Sequence, residues 1–541
     1  MELRPYQQDA IAAIYQFYRA GTTRQCLVLA TGLGKTVVFA KLVQAVNHQA
    51  LVLVHRNELV DQTIEKLELF GIPRDDIGIV KAGKSEQDRP CVIASQQTLQ
   101  RSTRLLKLLE GPTRRLIVCD EAHHILPPGK RHPEGNSWYR IIQDCAARWP
   151  KALLLGCTAT PFRPNNSPII GAPPLPFSDV PYTMSIAEGV YGGFLSGIEG
   201  RMVTLEGLNL DGLKRSQGDW TEASIEAELQ RIDALPMILA GWKRHAAGKR
   251  TLAYFPTVAL AGEFAALCQQ HDISADCITG ATPMDVRREI YASFRNGSTR
   301  VIANCMVLTE GFDEPATECI VIARPTTSRV LYQQTVGRGL RPYPGKDACL
   351  ILDCTGATER HNLMSVAHIT GLVDIDEDAD EGGDEDTPDV DPTKPKGPAR
   401  DPAKLKITLG RHEHISLHRK SPMRWVTTVE GRHVLQFFDG MIRLVPSDTV
   451  GRELWKVEWL PRDGQPKQLV SHVPLDYAMG AAEDTARDRS RQLIKRGAAW
   501  LKQPNDSEKQ HAFARRLGLE PREYSTRGEM SDAITAIVGD W

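Results

Sequence analysis

Short apolar runs alternate with segments of helical periodicity through about the first two-thirds of the chain. Within residues 1–185 the apolar runs lie near Cys26, Leu51, Val92, Leu116 and Leu153. Within residues 186–372 they lie near Thr251, Ser274, Val301, Ile320 and Cys349. Buried parallel strands have such runs, and strands that alternate with helices are joined by right-handed crossovers. The pattern predicts an α/β fold with two tandem parallel-sheet lobes, residues 1–185 and 186–372.

The pattern changes after residue 372. Residues 373–403 contain eleven acidic side chains between Asp374 and Asp391 and no basic side chain in that interval. A run of like charges with glycine and proline cannot form a core, so these residues are predicted to be a disordered linker. The linker is either a solubilising spacer or a mimic of nucleic acid. Without its acidic run, the formal charge of the chain would be +10 instead of −1.

Two further segments follow the linker. Residues 404–478 show period-2 alternation around EG and DG turns, which predicts a small antiparallel β unit. Residues 479–541 have helical character and predict a helical tail, with Asn505 or Asp506 as the cap of one helix.

The string ATGLGKT follows the first apolar run and precedes a segment of helical periodicity. A glycine loop between a strand and a helix lets backbone N–H groups wrap a phosphate at the positive end of the helix dipole. The N–H groups of Gly32, Gly34 and Lys35 are expected to do so. Lys35 would also reach the β- and γ-phosphates, and the Thr36 hydroxyl would hold Mg²⁺. The alternative is a glycine-rich turn that binds no ligand.

A second string, DEAH, ends another apolar run and begins 85 residues after Lys35. Doubly wound sheets place ligand-contacting groups at the carboxyl ends of their strands. We expect Asp120 to complete the Mg²⁺ shell and Glu121 to deprotonate the attacking water. His123, in the same string, is included in the catalytic set. The alternative is an exposed acidic turn.

A third string, QTVGRGLR, ends in two arginines three residues apart, Arg338 and Arg341. On a helix, such residues project from one face. Their guanidinium groups could stabilise charge on a γ-phosphoryl group during its transfer. The alternative is a solvated helix face.

Together, these strings resemble the motifs of a superfamily 2 helicase of the DEAD/DEAH-box class. The motif sequences are most similar to those of the RadD-type repair helicases, XPB and the type I restriction motors. The helical tail resembles one found on phage and prophage helicases. The resemblance extends over about residues 1–365. It implies two RecA-like (P-loop NTPase) lobes, with ATP and Mg²⁺ as ligands.

The resemblance assigns roles to further residues. In LRPYQQ, Arg4 and Gln7 would recognise adenine, and in LTEGFDEP, Gly311 and Asp313 would join the nucleotide site. In the third string, Gln334 would join the catalytic set.

Two other groups of residues are assigned in the same way. In GCTATPFR, Thr158 and Thr160 would couple hydrolysis to movement. Residues expected to contact the phosphate backbone of a nucleic-acid strand are Arg56, Gln97, Thr98, Thr257 and Thr309.

The expected function is that of an ATP-dependent DNA helicase or translocase in repair, recombination or phage replication. Its expected partner is single-stranded or forked duplex DNA, and protein partners could bind the C-terminal region or the acidic linker. The alternatives are an RNA helicase and an NTP-gated clamp or loading factor. The chain contains no apolar run of membrane-spanning length and no signal-like N-terminus, so we expect a cytoplasmic protein of a bacterial or phage-infected cell.

The cysteines and aromatic residues give weaker indications of function than the three strings do. The eleven cysteines all precede residue 355 and form no CxxC pair, so we expect neither thiolate zinc nor disulfides. Aromatic residues of the small β unit either form its core or provide a platform for stacking bases; they are Trp425, Phe437, Phe438, Trp455 and Trp459.

Overall fold

The structure is a computed structural model of the chain. It describes residues 3–55, 57–129, 133–163, 168–210, 212–216, 219–305, 308, 314–326 and 328–354. In the C-terminal part it describes residues 423–428, 430, 432–437, 439–447, 454–462, 465–473, 475–488, 499–505 and 507–538. The predicted acidic linker therefore lies outside the described residues.

The first lobe is built on an eight-stranded sheet that is parallel except for the short edge strand β4. Its strands are β1 Arg24–Leu29, β2 Ala50–Val54, β3 Ile77–Lys81, β4 Lys84–Ser85, β5 Cys91–Ser95, β6 Leu116–Asp120, β7 Leu153–Thr158 and β8 Thr183–Met184. Its helices are α1 Pro5–Arg19, α2 Lys35–Ala45, α3 Asn57–Leu69, α4 Gln96–Leu99, α5 Ser102–Glu110 and α6 Ser137–Arg148. The strand order is β4-β3-β5-β2-β6-β7-β1-β8, so that only β7 separates β6, the strand before the acidic string, from β1, the strand before the glycine string.

The second lobe contains a six-stranded parallel sheet with the order β13-β14-β12-β15-β16-β9. Its strands are β9 Gly197–Met202, β12 Thr251–Tyr254, β13 Ala275–Ile278, β14 Val301–Asn304, β15 Cys319–Ile322 and β16 Ala348–Asp353. A two-stranded ribbon pairs β10 Arg215–Ser216 with β11 Asp219–Trp220. The helices are α7 Ile186–Tyr191, α8 Glu222–Arg231, α9 Ala234–Ala246, α10 Val258–Gln270, α11 Met284–Asn296 and α12 Arg329–Gly339.

Two parallel-sheet lobes confirm the predicted fold class. The strands before the motifs are buried on both faces because helices cover both sides of each sheet, and this is why they read as continuous apolar runs. One apolar cluster extends from the first lobe into the second and includes Leu33, Leu195, Tyr254 and Leu340. The two lobes therefore meet across a packed apolar seam.

The C-terminal part contains a five-stranded antiparallel sheet. Its strands, in spatial order, are β17 Trp425–Thr427, β18 His433–Phe437, β19 Gly440–Ser447, β20 Leu454–Pro461 and β21 Lys467–Val473. The helices that follow are α13 Leu475–Asp488, α14 Glu508–Arg516 and α15 Arg527–Val538. The predicted boundary at residue 478 falls inside α13, whose Ala482 and Ala486 belong to the same apolar cluster as the strands.

A buried arginine joins the end of the chain to this sheet. Arg424 is 8% exposed, donates to the carbonyl oxygen of Gly528 at 2.9 Å and forms an ion pair with Asp532 at 2.5 Å. Both partners lie on α15. We refer to residues 423–538 as the C-terminal unit.

The aromatic residues of this unit form its core. Phe437, Trp455 and Trp459 are each less than 10% exposed, and the half-buried Trp425 donates its indole N–H to Glu483 Oε1 at 3.1 Å. The stacking-platform alternative is therefore wrong for the three buried rings. Phe438 lies outside the described residues.

One predicted helix cap is wrong. The cap of α14 is Ser507, whose hydroxyl oxygen accepts from the N–H of Gln510. Asn505 instead donates to the carbonyl oxygens of Pro521 and Tyr524, at 2.8 and 3.1 Å. No helix in the described part of the chain is long and apolar enough to span a membrane.

Candidate functional site

The glycine loop between β1 and α2 has the conformation that its sequence predicts. Gly32 and Gly34 have φ values of 92° and 74°, in the left-handed region that glycine adopts without strain. Gly34 is the N-cap of α2, so Lys35 and Thr36 form the first turn of that helix. The Lys35 ammonium donates to the carbonyl oxygen of Leu29 at 3.3 Å. Backbone N–H groups, an ammonium and a hydroxyl thus lie together at the positive end of a helix dipole.

The start of α1 lies against this loop. The Tyr6 hydroxyl donates to the carbonyl oxygen of Leu33 at 2.7 Å, and Gln7 Nε2 donates to the same oxygen at 3.4 Å. Arg4 donates to the carbonyl oxygen of Phe194 at 3.2 Å. The Arg4 guanidinium also lies 5.9 Å from the centroid of the Phe194 ring. The Tyr6 and Phe194 rings are 4.6 Å apart. Tyr6 lies in the motif string between the two assigned residues, whereas no sequence pattern indicated Phe194.

The acidic string begins at Asp120, the last residue of β6. Glu121 has φ 50° and ψ 52°, a left-handed conformation that is uncommon for a residue with a side chain and often marks a functional position. Its N–H donates to Asp120 Oδ1 at 3.1 Å. Burial and the neighbouring Glu121 carboxylate raise the pKa of Asp120 to about 6, against the opposing charges of Lys35 and Lys66.

His123 connects the two lobes. Its imidazole is 1% exposed, with Nδ1 at 3.1 Å from Thr158 Oγ1 and at 3.5 Å from Glu121 Oε2. On the other side of the ring, Nε2 is 3.3 Å from Nε2 of Gln334, a residue of α12 in the second lobe. If Gln334 donates, the imidazole proton lies on Nδ1 and points to Thr158. The Thr158 hydroxyl donates in turn to the carbonyl oxygen of Thr160 at 2.9 Å.

The glycine loop and α12 are in direct contact. A Cβ atom on Gly337 would lie 2.4 Å from Thr31 Cβ, and a Cβ atom on Gly32 would lie 3.4 Å from Arg341 Cγ. Only glycine at position 337 allows this approach. Arg338 is 6% exposed, and burial lowers the pKa of Arg341 to about 10. The solvated-face alternative is therefore wrong.

The expected placement of the two arginines on one helix face is also wrong. Helix α12 ends at Gly339, so Arg338 lies on the helix while Arg341 follows it. The backbone at Arg341 is held by the connection between α7 and β9, because its carbonyl oxygen accepts from the Ser196 hydroxyl at 3.1 Å.

Two lysines near the site were missed by sequence reasoning. Lys346 donates to the carbonyl oxygens of Pro315, Thr317 and Gly339 at 2.7, 2.9 and 3.0 Å, which ties the end of α12 to the segment before β15. Lys66 on α3 has a pKa lowered by burial and by the charge of Arg341, while Asp120 raises it. Neither lysine belongs to one of the strings, so the sequence offered no signal.

The residues assigned to nucleic acid do not form one group. Gln97 is exposed, but Thr98 is 7% exposed and its hydroxyl accepts from Ser95. Thr257 caps α10 and donates to Glu226 Oε1 at 2.8 Å. Their contact with nucleic acid stays a prediction. Four assigned residues lie outside the described part of the chain: Arg56, Thr309, Gly311 and Asp313.

Family comparisons agree with this arrangement. Residues 1–163 match the family described as type III restriction enzyme, res subunit, and residues 230–342 match the helicase conserved C-terminal domain. The chain belongs to the superfamily 2 helicases. Residues 407–540 of this helicase match a third family, the C-terminal domain of the mitochondrial helicase Irc3.

Individual relatives cover different shares of this helicase. It is 31% identical over 400 residues to the protein named ATP-dependent helicase IRC3 in Saccharomyces cerevisiae, covering 71% of this chain but only 56% of that protein. It is 28% identical to mitochondrial irc3 of Schizosaccharomyces pombe, covering 99% of this chain and 90% of that protein. With the DNA 3'-5' translocase XPB2 of Sulfurisphaera tokodaii it shares 27% identity over 67% of this chain and 84% of that protein.

The fold has a counterpart among solved structures. A fragment assigned to the HsdR subunit of a type I restriction enzyme from Vibrio vulnificus YJ016 superposes with a TM-score of 0.51 at 22% sequence identity. The match covers 69% of this chain and 67% of that fragment. At this level of identity the likeness concerns the fold alone.

The contact between Gly337 and Thr31 predicts that Gly337→Ala impairs ATP hydrolysis. Overpacking of this size costs about 1–3 kcal/mol, so the closed arrangement should be destabilised and kcat should fall by roughly tenfold or more. The measurement is steady-state ATPase. Gly262→Ala is the matched control, because a Cβ atom at this helical glycine meets nothing within 4 Å. Equal kcat values for Gly337→Ala and the wild type would contradict the close approach.

The pKa of Asp120 predicts a pH-dependent stability effect. Because this pKa is about 6 in the folded chain and 3.8 for the free group, ionisation of Asp120 lowers the free energy of unfolding as pH rises from about 4 to about 6, and the full loss is present above about pH 6. With Mg²⁺ and nucleotide removed, Asp120→Asn should raise the free energy of unfolding at pH 7.5 by on the order of 1–3 kcal/mol. The gain should vanish near pH 4. Urea unfolding at the two pH values measures it, and a gain that is equal at both would refute the raised pKa.

Proposed function

We propose that this protein is an ATP-dependent DNA translocase or helicase that moves on DNA through closure and reopening of its two lobes. The proposal rests chiefly on the contacts of Gly337 with the Thr31 side chain and of Arg341 with Gly32. A phosphate held by the loop of the first lobe would lie within reach of cations from the second. The site would then be complete only when the lobes are closed.

The residues of the loop fit a nucleoside triphosphate. A Cβ atom at Gly34 would lie 2.8 Å from Gln7 Nε2, so the backbone is bare on the side that faces the assigned adenine reader. We propose that Gly32, Gly34 and Lys35 hold the phosphates, and that Arg4 and Gln7 recognise the base.

The acidic residues fit a divalent cation. Asp120 has a raised pKa because its carboxylate is buried beside Glu121, and a bound cation would stabilise its charged form. The Thr36 hydroxyl and the Asp120 carboxylate are the oxygen ligands that we propose for Mg²⁺. When bound, Mg²⁺ would neutralise charge on the β- and γ-phosphates.

Glu121 is the proposed general base. Its Oε2 atom is buried and makes no hydrogen bond within the described residues, although His123 Nδ1 lies 3.5 Å away. A carboxylate oxygen with spare acceptor capacity can orient a water molecule and take its proton. His123 would hold this carboxylate in place and sense the position of Gln334.

The bridge through His123 suggests how hydrolysis could produce movement. Closure brings Gln334 to His123, and His123 contacts Thr158 at the end of β7. Loss of the γ-phosphate would remove the anion that both lobes contact and so favour reopening. If a strand lies across both lobes, each cycle changes their separation along it.

DNA is the proposed track. A relative that matches 67% of this chain is named a DNA translocase, and the charge outside the acidic run is +10. Contacts to the phosphate backbone would be indifferent to sequence and weakened by salt. Gln97, which is exposed at the carboxyl end of β5, is the described residue best placed for such a contact.

The proposal predicts nucleic-acid-stimulated ATPase activity. Steady-state ATPase should rise severalfold with single-stranded or forked duplex DNA and less with RNA, and the stimulation should decline between about 50 and 200 mM salt. Glu121→Gln should lower kcat by about 10²- to 10⁴-fold while nucleotide binding persists, because only proton transfer is removed.

The same assay separates the alternatives. Stimulation by RNA alone would replace the DNA assignment with an RNA helicase. Stimulation by DNA without displacement of a labelled strand from a fork, and without movement against a roadblock, would indicate a clamp. ATPase activity that survives in Glu121→Gln would refute the assigned base.

A further inference from the structure

Phe162 is a residue of the first lobe whose side chain belongs to the core of the C-terminal unit. It lies four residues after Thr158, the last residue of β7, and is 2% exposed. Among the described residues, its apolar cluster contains no other residue of the first lobe. The other members are from the C-terminal unit and include Met423, Leu435, Phe437, Ile442, Trp455 and Trp459.

The segment that carries Phe162 is held by a short set of hydrogen bonds. The Thr160 N–H donates to Thr158 Oγ1 at 3.2 Å, and the Thr158 hydroxyl donates to the Thr160 carbonyl oxygen at 2.9 Å. The Thr160 hydroxyl donates to the carbonyl oxygen of Phe162 at 3.2 Å. Both threonines are fully buried. We call residues 158–162 the arm. All five residues are buried and hydrogen bonds join successive parts of the segment, so a shift at one end should move the other end.

The inner end of this arm is attached to the candidate catalytic site. Thr158 Oγ1 lies 3.1 Å from His123 Nδ1, and His123 reaches Glu121 on one side and Gln334 of the second lobe on the other. A change in lobe separation alters the Gln334 contact first. That change can reach Phe162 through three hydrogen-bonded steps, from His123 to Thr158, from Thr158 to Thr160 and from Thr160 to Phe162.

We infer that Phe162 is a coupling residue through which the C-terminal unit senses the nucleotide state of the seam, and through which that unit biases closure. This inference rests on the proposed function. By linkage, a ligand that binds the C-terminal unit better in one state must favour the same state at the nucleotide site. Phe162 would be a positioning residue, since it touches neither nucleotide nor the reacting atoms.

The test is hydrogen–deuterium exchange of the full chain with and without a non-hydrolysable ATP analogue. In the wild type, exchange in the strands at residues 433–461 should change by about threefold or more when the analogue binds. The change should be lost in Phe162→Ala and largely kept in Phe162→Leu, which retains an apolar side chain in the cluster. Binding of a fluorescent ATP analogue is measured on the same samples.

Phe437→Leu is the matched control, because it alters the same apolar cluster from within the C-terminal unit and leaves the arm intact. Its exchange response should persist. If the wild type binds the analogue but its strands do not respond, or if all three variants respond alike, the coupling role is wrong. Failure of the wild type to bind the analogue would overturn the proposed function itself, and the inference with it.

Discussion

Gly337 of the second lobe lies so close to Thr31 of the first that no side chain would fit between them. This contact of the Gly337 backbone with the Thr31 side chain determines where the other groups of the site can be. It brings Arg341 over Gly32 and places Gln334 beside His123. The apolar cluster that continues across the seam supports the contact, because burial of its side chains stabilises the closed arrangement without directional constraints. Apolar packing around the site thus holds together a polar site that contains several cationic side chains.

The seam also explains the electrostatics of the site. Burial raises the pKa of Asp120 and lowers the pKa values of Arg341 and Lys66, so each charged group lies where water stabilises it poorly. The carboxylates and cationic side chains of the site stabilise one another's charges. A bound anion with its metal ion would stabilise them further. Such a site favours binding of a charged ligand over remaining empty, which is the property that a nucleotide-driven switch requires.

Much of the fold and part of the site could be predicted from the sequence. Strands such as β2 and β6 are fully enclosed by helices, so they read as apolar runs, and the glycine loop needs left-handed residues that only a few amino acids provide. Other elements gave no such signal. The half-exposed strand β9 has the sequence GIEGRM, and β8 has only two residues. Phe194, Lys346 and Phe162 act through contacts with distant parts of the chain, and no local pattern encodes those contacts.

We propose that the first lobe holds a triphosphate while Arg341 of the second lobe stabilises transfer of the γ-phosphoryl group. Single-turnover hydrolysis of saturating ATP by Arg341→Ala, with nucleotide affinity measured in parallel, tests this most directly. The hydrolysis rate of this variant should be lower by about 10³-fold or more, and its nucleotide affinity should change far less. A rate within a fewfold of the wild type would contradict this proposal.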